Sequence, residues 1–117
     1  ELHSIMAGLC CGIPCTVAWE ILEHCADFFI SMPDFVAADG MRILGAPLAG
    51  DKRIISGESG ASCFGLVADV LRKSEYATLK EQLGLNQDSS ILCISTEGDT
   101  DREGYRKVVW DGAYSID

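Results

Sequence analysis

Apolar positions along this chain keep two rhythms. Val17, Ala18, Ile21, Leu22 and Cys25 return every third or fourth residue, which predicts a helix over residues 16–25. "ADFFISM" follows as a short strand. Pro33-Asp34 then opens a second helix, Pro fitting the entrance and Asp able to cap free N–H groups. Ala37, Met41 and Leu44 form its expected buried stripe, flanked by Val36 and Ile43. "LGAPLAGD" breaks that helix, and "KRIIS" reads as a brief extended segment. "GESGASCFGLVADVLRK" starts on small residues and becomes a third helix, with Cys63, Phe64, Val67, Val70 and Leu71 as its stripe. Ser74 caps a shorter helix carrying Leu79 and Leu83, which Gly84 stops. "SSILCIS" is the clearest strand, and its unbroken apolar run suggests burial on both faces, as in a parallel sheet covered by helices. "DREGYRKVVW" is a last helix, its acids early and its bases late to match the helix dipole.

Strands alternating with helices predict an α/β class, part of a three-layer, open, mostly parallel sheet flanked by helices. Three short strands are few for a free-standing doubly wound domain, so part of the sheet is expected to lie elsewhere. The 117 residues form one unit, 48% apolar and 23% charged, in the ordinary range for a folded domain. The formal net charge of −9 repels nucleic acid and anionic membrane surfaces, and no basic cluster interrupts it. No apolar run has the length of a membrane span, and the first residues do not have the pattern of a signal peptide. Of the six cysteines, Cys25, Cys63 and Cys93 lie in apolar periodic segments, where a reduced Cys packs as a small hydrophobe. A reducing cytoplasm is the compartment expected. "CCGIPC" lacks a second ligand pair, so no structural zinc is predicted there.

Ligands of open α/β sheets sit beyond the carboxyl ends of the strands, where turns offer N–H groups and helix N-termini. Two turns qualify. Gly57-Glu58-Ser59-Gly60-Ala61 resembles a nucleophile elbow, but its last position is Ala61, and both His3 and His24 precede Ser59. A serine hydrolase is thereby disfavoured, and the local reading of Ser59 is a helix N-cap. Ser95-Thr96-Glu97-Gly98-Asp99-Thr100-Asp101 holds three acids but lacks the distal bidentate Glu of a calcium loop. Asp101 reads as a helix cap. Ser95 stands where a buried strand runs out, so its hydroxyl needs a partner, and a ligand ring nitrogen is a suitable one.

"SIMAGLCCGIPCTVAWEIL", "FISMPDFVAADGMRIL", "ISGESGA" and "ISTEGDTDREGYRKVVW" together resemble the C-terminal portion of the diaminopropionate ammonia-lyases, pyridoxal-phosphate enzymes of the tryptophan-synthase β fold, fold type II. The likeness runs in order over nearly the whole chain, 1–117, as a single C-terminal fragment of the large domain. Relatives in this fold carry a strand ending in Ser or Thr followed by roughly G-x-G-x-K-D. Ser95 to Asp101 lies on that pattern, with Thr96 in place of the first Gly and Thr100 in place of the Lys. The resemblance implies that Ser95 hydrogen-bonds the pyridine nitrogen of pyridoxal 5′-phosphate, with Thr96, Gly57, Glu58 and Ser59 as further cofactor-side residues. A neutral hydroxyl there leaves the ring largely unprotonated, which suits elimination over transamination. The family's reaction uses a lysine Schiff base and a Gly-rich phosphate loop, and neither is found in these residues. The expectation is therefore a fragment without catalytic residues or metal ligands of its own, inactive by itself, from a cytoplasmic enzyme acting on a small amino acid and often homodimeric. A threonine-synthase-like or dehydratase-like relative is the alternative within the fold, and a stand-alone interaction module is the alternative outside it.

Overall fold

A computed structural model describes residues 3–116. Among the described residues are five α-helices: α1 (Thr16–Cys25), α2 (Asp34–Gly45), α3 (Glu58–Arg72), α4 (Ala77–Gln82) and α5 (Arg102–Val109). Single 3₁₀ turns occupy Ala7–Leu9 and Ser74–Tyr76. The helical half of the sequence expectation is therefore present. The sheet is not, because no strand is formed among the described residues. The three segments expected to be extended lie outside every helix but form no ladder, and a strand exists only where another backbone takes its N–H and C=O groups. Their chief mutual link is one bond between exits, from the Gly57 N–H to the Glu97 carbonyl at 3.1 Å.

The core lies where α2, α3 and α5 meet, built from Ala38, Met41, Ala61 and Val108, with Ile5, Leu44, Tyr105 and Val109 against it. In α2 the buried residues are Val36, Ala37, Ala38, Gly40 and Met41, close to the expected stripe. In α3 the expectation is corrected. Gly60, Ala61, Ser62, Gly65, Asp69 and Val70 are buried, whereas Cys63 and Leu71 are exposed. The reason is a close helix crossing. A Cβ on Gly40 would lie 2.5 Å from the Ala61 carbonyl oxygen and 2.9 Å from the Gly65 Cα, and one on Gly65 would strike the Val36 carbonyl. Only the small-residue face of α3 fits against α2, so the larger apolar side chains turn away.

Helix ends follow local chemistry. Asp101 caps α5 as expected, its Oδ1 accepting the Gly104 N–H at 2.9 Å. At α2 the capping expectation fails. Asp34 sits one residue inside the helix, and its carboxylate takes the Ser4 hydroxyl at 2.5 Å and the Ile5 N–H at 3.3 Å, tying down the N-terminal loop. Gly84 stops α4 with a φ of +68°, a conformation suited to glycine. Arg42 reaches from α2 to the end of α5, donating to the Val108 carbonyl at 3.1 Å and to the Ala113 carbonyl. Helix α1 buries no residue. Its Trp19 ring lies against Phe29, with centroids 5.8 Å apart.

Candidate functional site

Both turns singled out in the sequence meet at the N-terminus of α3. Glu97 joins them. Its backbone carbonyl receives the Gly57 N–H at 3.1 Å and lies 3.2 Å from the hydroxyls of Ser56 and Ser95. Its side chain takes the Ser59 N–H at 2.9 Å through one oxygen and the Thr100 hydroxyl at 3.3 Å through the other. The carboxylate thus sits on the free N–H groups and positive dipole end of α3, where an anion is stabilised. Gly60 is required by this approach, since a Cβ there would lie 2.6 Å from the Glu97 carbonyl oxygen and 2.7 Å from the Ser56 hydroxyl.

Each residue expected on the cofactor side has a definite place. Ser95 is exposed at the end of its extended segment, and its hydroxyl lies 2.8 Å from that of Ser56. Thr96 lines a cavity of about 300 Å³ together with Gly8, Leu9, Ser59 and Glu97. Gly57 is buried as the N-cap of α3. Ser59 does not cap the helix as its local sequence suggested. It stands in the first turn, and its hydroxyl accepts the Gly8 N–H at 3.2 Å, holding the Ala7–Leu9 turn against the cavity. Glu58 is half-buried in that same turn. Burial pushes its carboxyl above the ordinary range, and the charges of Glu97 and Asp101 add to this against the opposing pull of a backbone N–H. Ser56 and Gly8 were not singled out in the sequence, and Glu97 was weighed there only as one of three turn acids. Ser56 directly precedes the glycine turn, and Glu97 stands two residues beyond Ser95, so proximity to the two turns was their only signal.

The donor set discriminates between the two ends of a pyridoxal phosphate. A hydroxyl at the exit of an extended segment, steadied by a second hydroxyl, suits a heterocyclic nitrogen. A phosphate does not fit, because Glu97 already occupies the α3 N-terminus and Glu58 and Asp101 stand beside it. The basic groups are elsewhere. Lys73 is held by Asp69 at 2.7 Å and Asp39 at 3.4 Å, and Lys107 by Glu103 at 2.8 Å. Neither lysine lines the cavity of Thr96 and Ser59.

Solved structures that the chain matches are of a pyridoxal-phosphate enzyme of fold type II. The particular relatives are diaminopropionate ammonia-lyases. That of Escherichia coli strain K12 is 53% identical over 116 residues, which is 99% of this chain and 29% of the relative. That of Salmonella typhimurium is 43% identical over 113 residues, 96% of this chain and 28% of the relative. Among solved structures, the E. coli enzyme in complex with an aminoacrylate-PLP azomethine reaction intermediate superposes with a TM-score of 0.93 at 52% identity, covering 99% of this chain and 30% of that one. The same enzyme in complex with D-serine gives 0.89 at 53% identity, covering 94% and 28%. No family model matches. The resemblance read from the residues is thereby shown in sequence and in fold, and the chain spans under a third of the length of the relatives it matches.

Proposed function

We propose that this chain works as the cofactor-ring segment of a pyridoxal-phosphate-dependent ammonia-lyase. The parent reaction converts 2,3-diaminopropionate and water to pyruvate and two molecules of ammonia. The observation that carries the reading is the hydroxyl pair of Ser95 and Ser56, 2.8 Å apart at the rim of the turn, in a chain 53% identical to such enzymes. When bound, the cofactor supplies an electron sink for the pair left as the substrate's α-proton departs. Ser95 would hold the ring at its nitrogen by a neutral contact, Thr96 lines a cavity with Gly8 and Leu9 of the Ala7–Leu9 turn, and Glu97 fixes the turn that presents Ser95 and Thr96. Glu58 and Glu97 disfavour a phosphate at this end, so these residues would meet the ring rather than the anionic arm.

The rest of the machinery belongs, on this reading, to polypeptide preceding this segment: a lysine for the cofactor aldehyde, a phosphate-binding loop and the groups that select the substrate. That polypeptide also supplies the backbones that turn the three extended segments into strands of an open, mostly parallel sheet, making this chain the C-terminal part of a large domain. Six unpaired cysteines support a reducing cytoplasmic setting, and the family resemblance supports a homodimer.

The test is a chimera in which this chain replaces the matching segment of the E. coli enzyme. Steady formation of pyruvate from 2,3-diaminopropionate by the chimera is expected, with none from the 117-residue chain mixed with substrate and cofactor. A folded chimera that binds cofactor without turnover, or turnover by the chain alone, overturns the proposal.

A further inference from the structure

Ser56 is fully buried, and a buried hydroxyl must give its proton to an acceptor. Three acceptors are in reach: the Ser95 hydroxyl at 2.8 Å, the Glu97 carbonyl at 3.2 Å and the Gly57 carbonyl at 3.4 Å. Ser95 is exposed, and its own hydroxyl can donate inward only to Ser56 or to the Glu97 carbonyl, which is 3.2 Å away. That carbonyl already accepts the Gly57 N–H, which leaves one lone pair for two hydroxyls. If Ser95 gives its proton to Glu97, it presents only a lone pair outward and can no longer donate to a ligand.

Resting on the cofactor reading above, we infer that Ser56 is a positioning residue which sets the direction of the Ser95 proton. Ser56 donates across the 2.8 Å contact and holds the Ser95 oxygen in place, leaving the Ser95 proton free to point at an unprotonated ring nitrogen. Accepting from Ser56 also polarises Ser95 and makes it the better donor. Reversed, with Ser95 donating to Ser56 and Ser56 to Glu97, the pair would show a lone pair to a protonated ring. The surroundings favour the first arrangement. The carboxylate of Glu97, the strongest nearby acceptor for a protonated ring, is turned onto Ser59 and Thr100. The oxygens bonded to the Ser95 hydroxyl, those of Ser56 and of the Glu97 carbonyl, are neutral.

The experiment loads the chimeric enzyme with pyridoxal phosphate labelled with nitrogen-15 in the ring and compares Ser56→Ala and Ser95→Ala by NMR. Ser56→Ala is expected to move the ring resonance part of the way that Ser95→Ala moves it, toward a free-base nitrogen without a hydrogen bond. Cofactor affinity should weaken about two- to tenfold, the worth of one hydrogen bond. If Ser56→Ala does not fold, Ser56→Cys, of similar volume and weaker as a donor, is read in the same way. An unmoved resonance in the Ser56 variant, while that of Ser95→Ala moves, overturns the inference and leaves the cofactor reading standing. A folded chimera that takes up no cofactor overturns both, as does a Ser95→Ala variant with an unmoved ring resonance.

Discussion

Two regions of this chain obey opposite packing rules. Where α2, α3 and α5 meet, the buried residues are mostly small, with Ala37, Ala38, Gly40, Ala61, Ser62 and Gly65 in the crossing. Over α1 and the extended segments, large apolar side chains stand in the open, among them Val17, Ile21, Phe28, Phe29, Leu92 at 86% exposure and Ile94 at 66%. So many large apolar side chains in the open are unusual on a self-sufficient domain and ordinary on an internal face. The helical crossing is packed within these residues, whereas the other region has, on the proposed reading, its partner in further polypeptide. Backbone agrees with side chains here, because the extended segments have the composition of buried strands but no ladder.

The comparison breaks most sharply at the helix crossing. Gly65→Val drives a side chain into the Val36 carbonyl and should destabilise the chain by about 3 kcal/mol or more, measured by urea unfolding. Next comes Arg42→Ala. It removes donors to the Val108 and Ala113 carbonyls and the ion pair to Asp39 at 3.0 Å, an expected loss of about 1–3 kcal/mol. Amide exchange near Ala113 should rise with it. Ile94→Lys belongs to the other region and should change the stability of the chain by no more than about 0.5 kcal/mol. The same substitution should prevent the chimera from folding as an active enzyme, a split that no self-contained domain would show.

The smallest effect concerns Glu58. Burial, with Glu97 and Asp101 adding to it, raises its carboxyl in the folded chain, so the folded state binds that proton more tightly than the unfolded one. Its contribution is fully present below its ordinary unfolded value and is lost as pH rises through the raised folded value. Glu58→Gln should therefore raise the melting temperature slightly at neutral pH and leave it little changed in acid. Equal shifts at both pH values would contradict the assignment.

Much of this was legible in the residues. The spacing of Val17, Ile21 and Cys25 placed α1 correctly, and Ala37 and Met41 marked the buried face of α2. The periodicity of α3 misled because apolar spacing shows that a stripe exists but not which neighbour it meets. Cys63 and Leu71 were read as core, while Gly60 and Gly65, carrying no hydropathy signal, make the closest contacts. Ser95 and the glycine turn stood out in the sequence because strand exits and helix starts have recognisable chemistry. Ser56 and Glu97 escaped because their roles depend on two turns, 39 residues apart between Ser56 and Ser95, being brought together. No local pattern encodes such a meeting.

If the exposed apolar region is the seat of further polypeptide, hydrogen exchange at the amides of residues 91–95 will report it. In the 117-residue chain these amides should exchange nearly as fast as in an unfolded peptide, while the α2–α3 crossing is protected. In the chimera they should become protected to the level of its core. Strong protection in the chain alone, or none in an active chimera, would contradict the account.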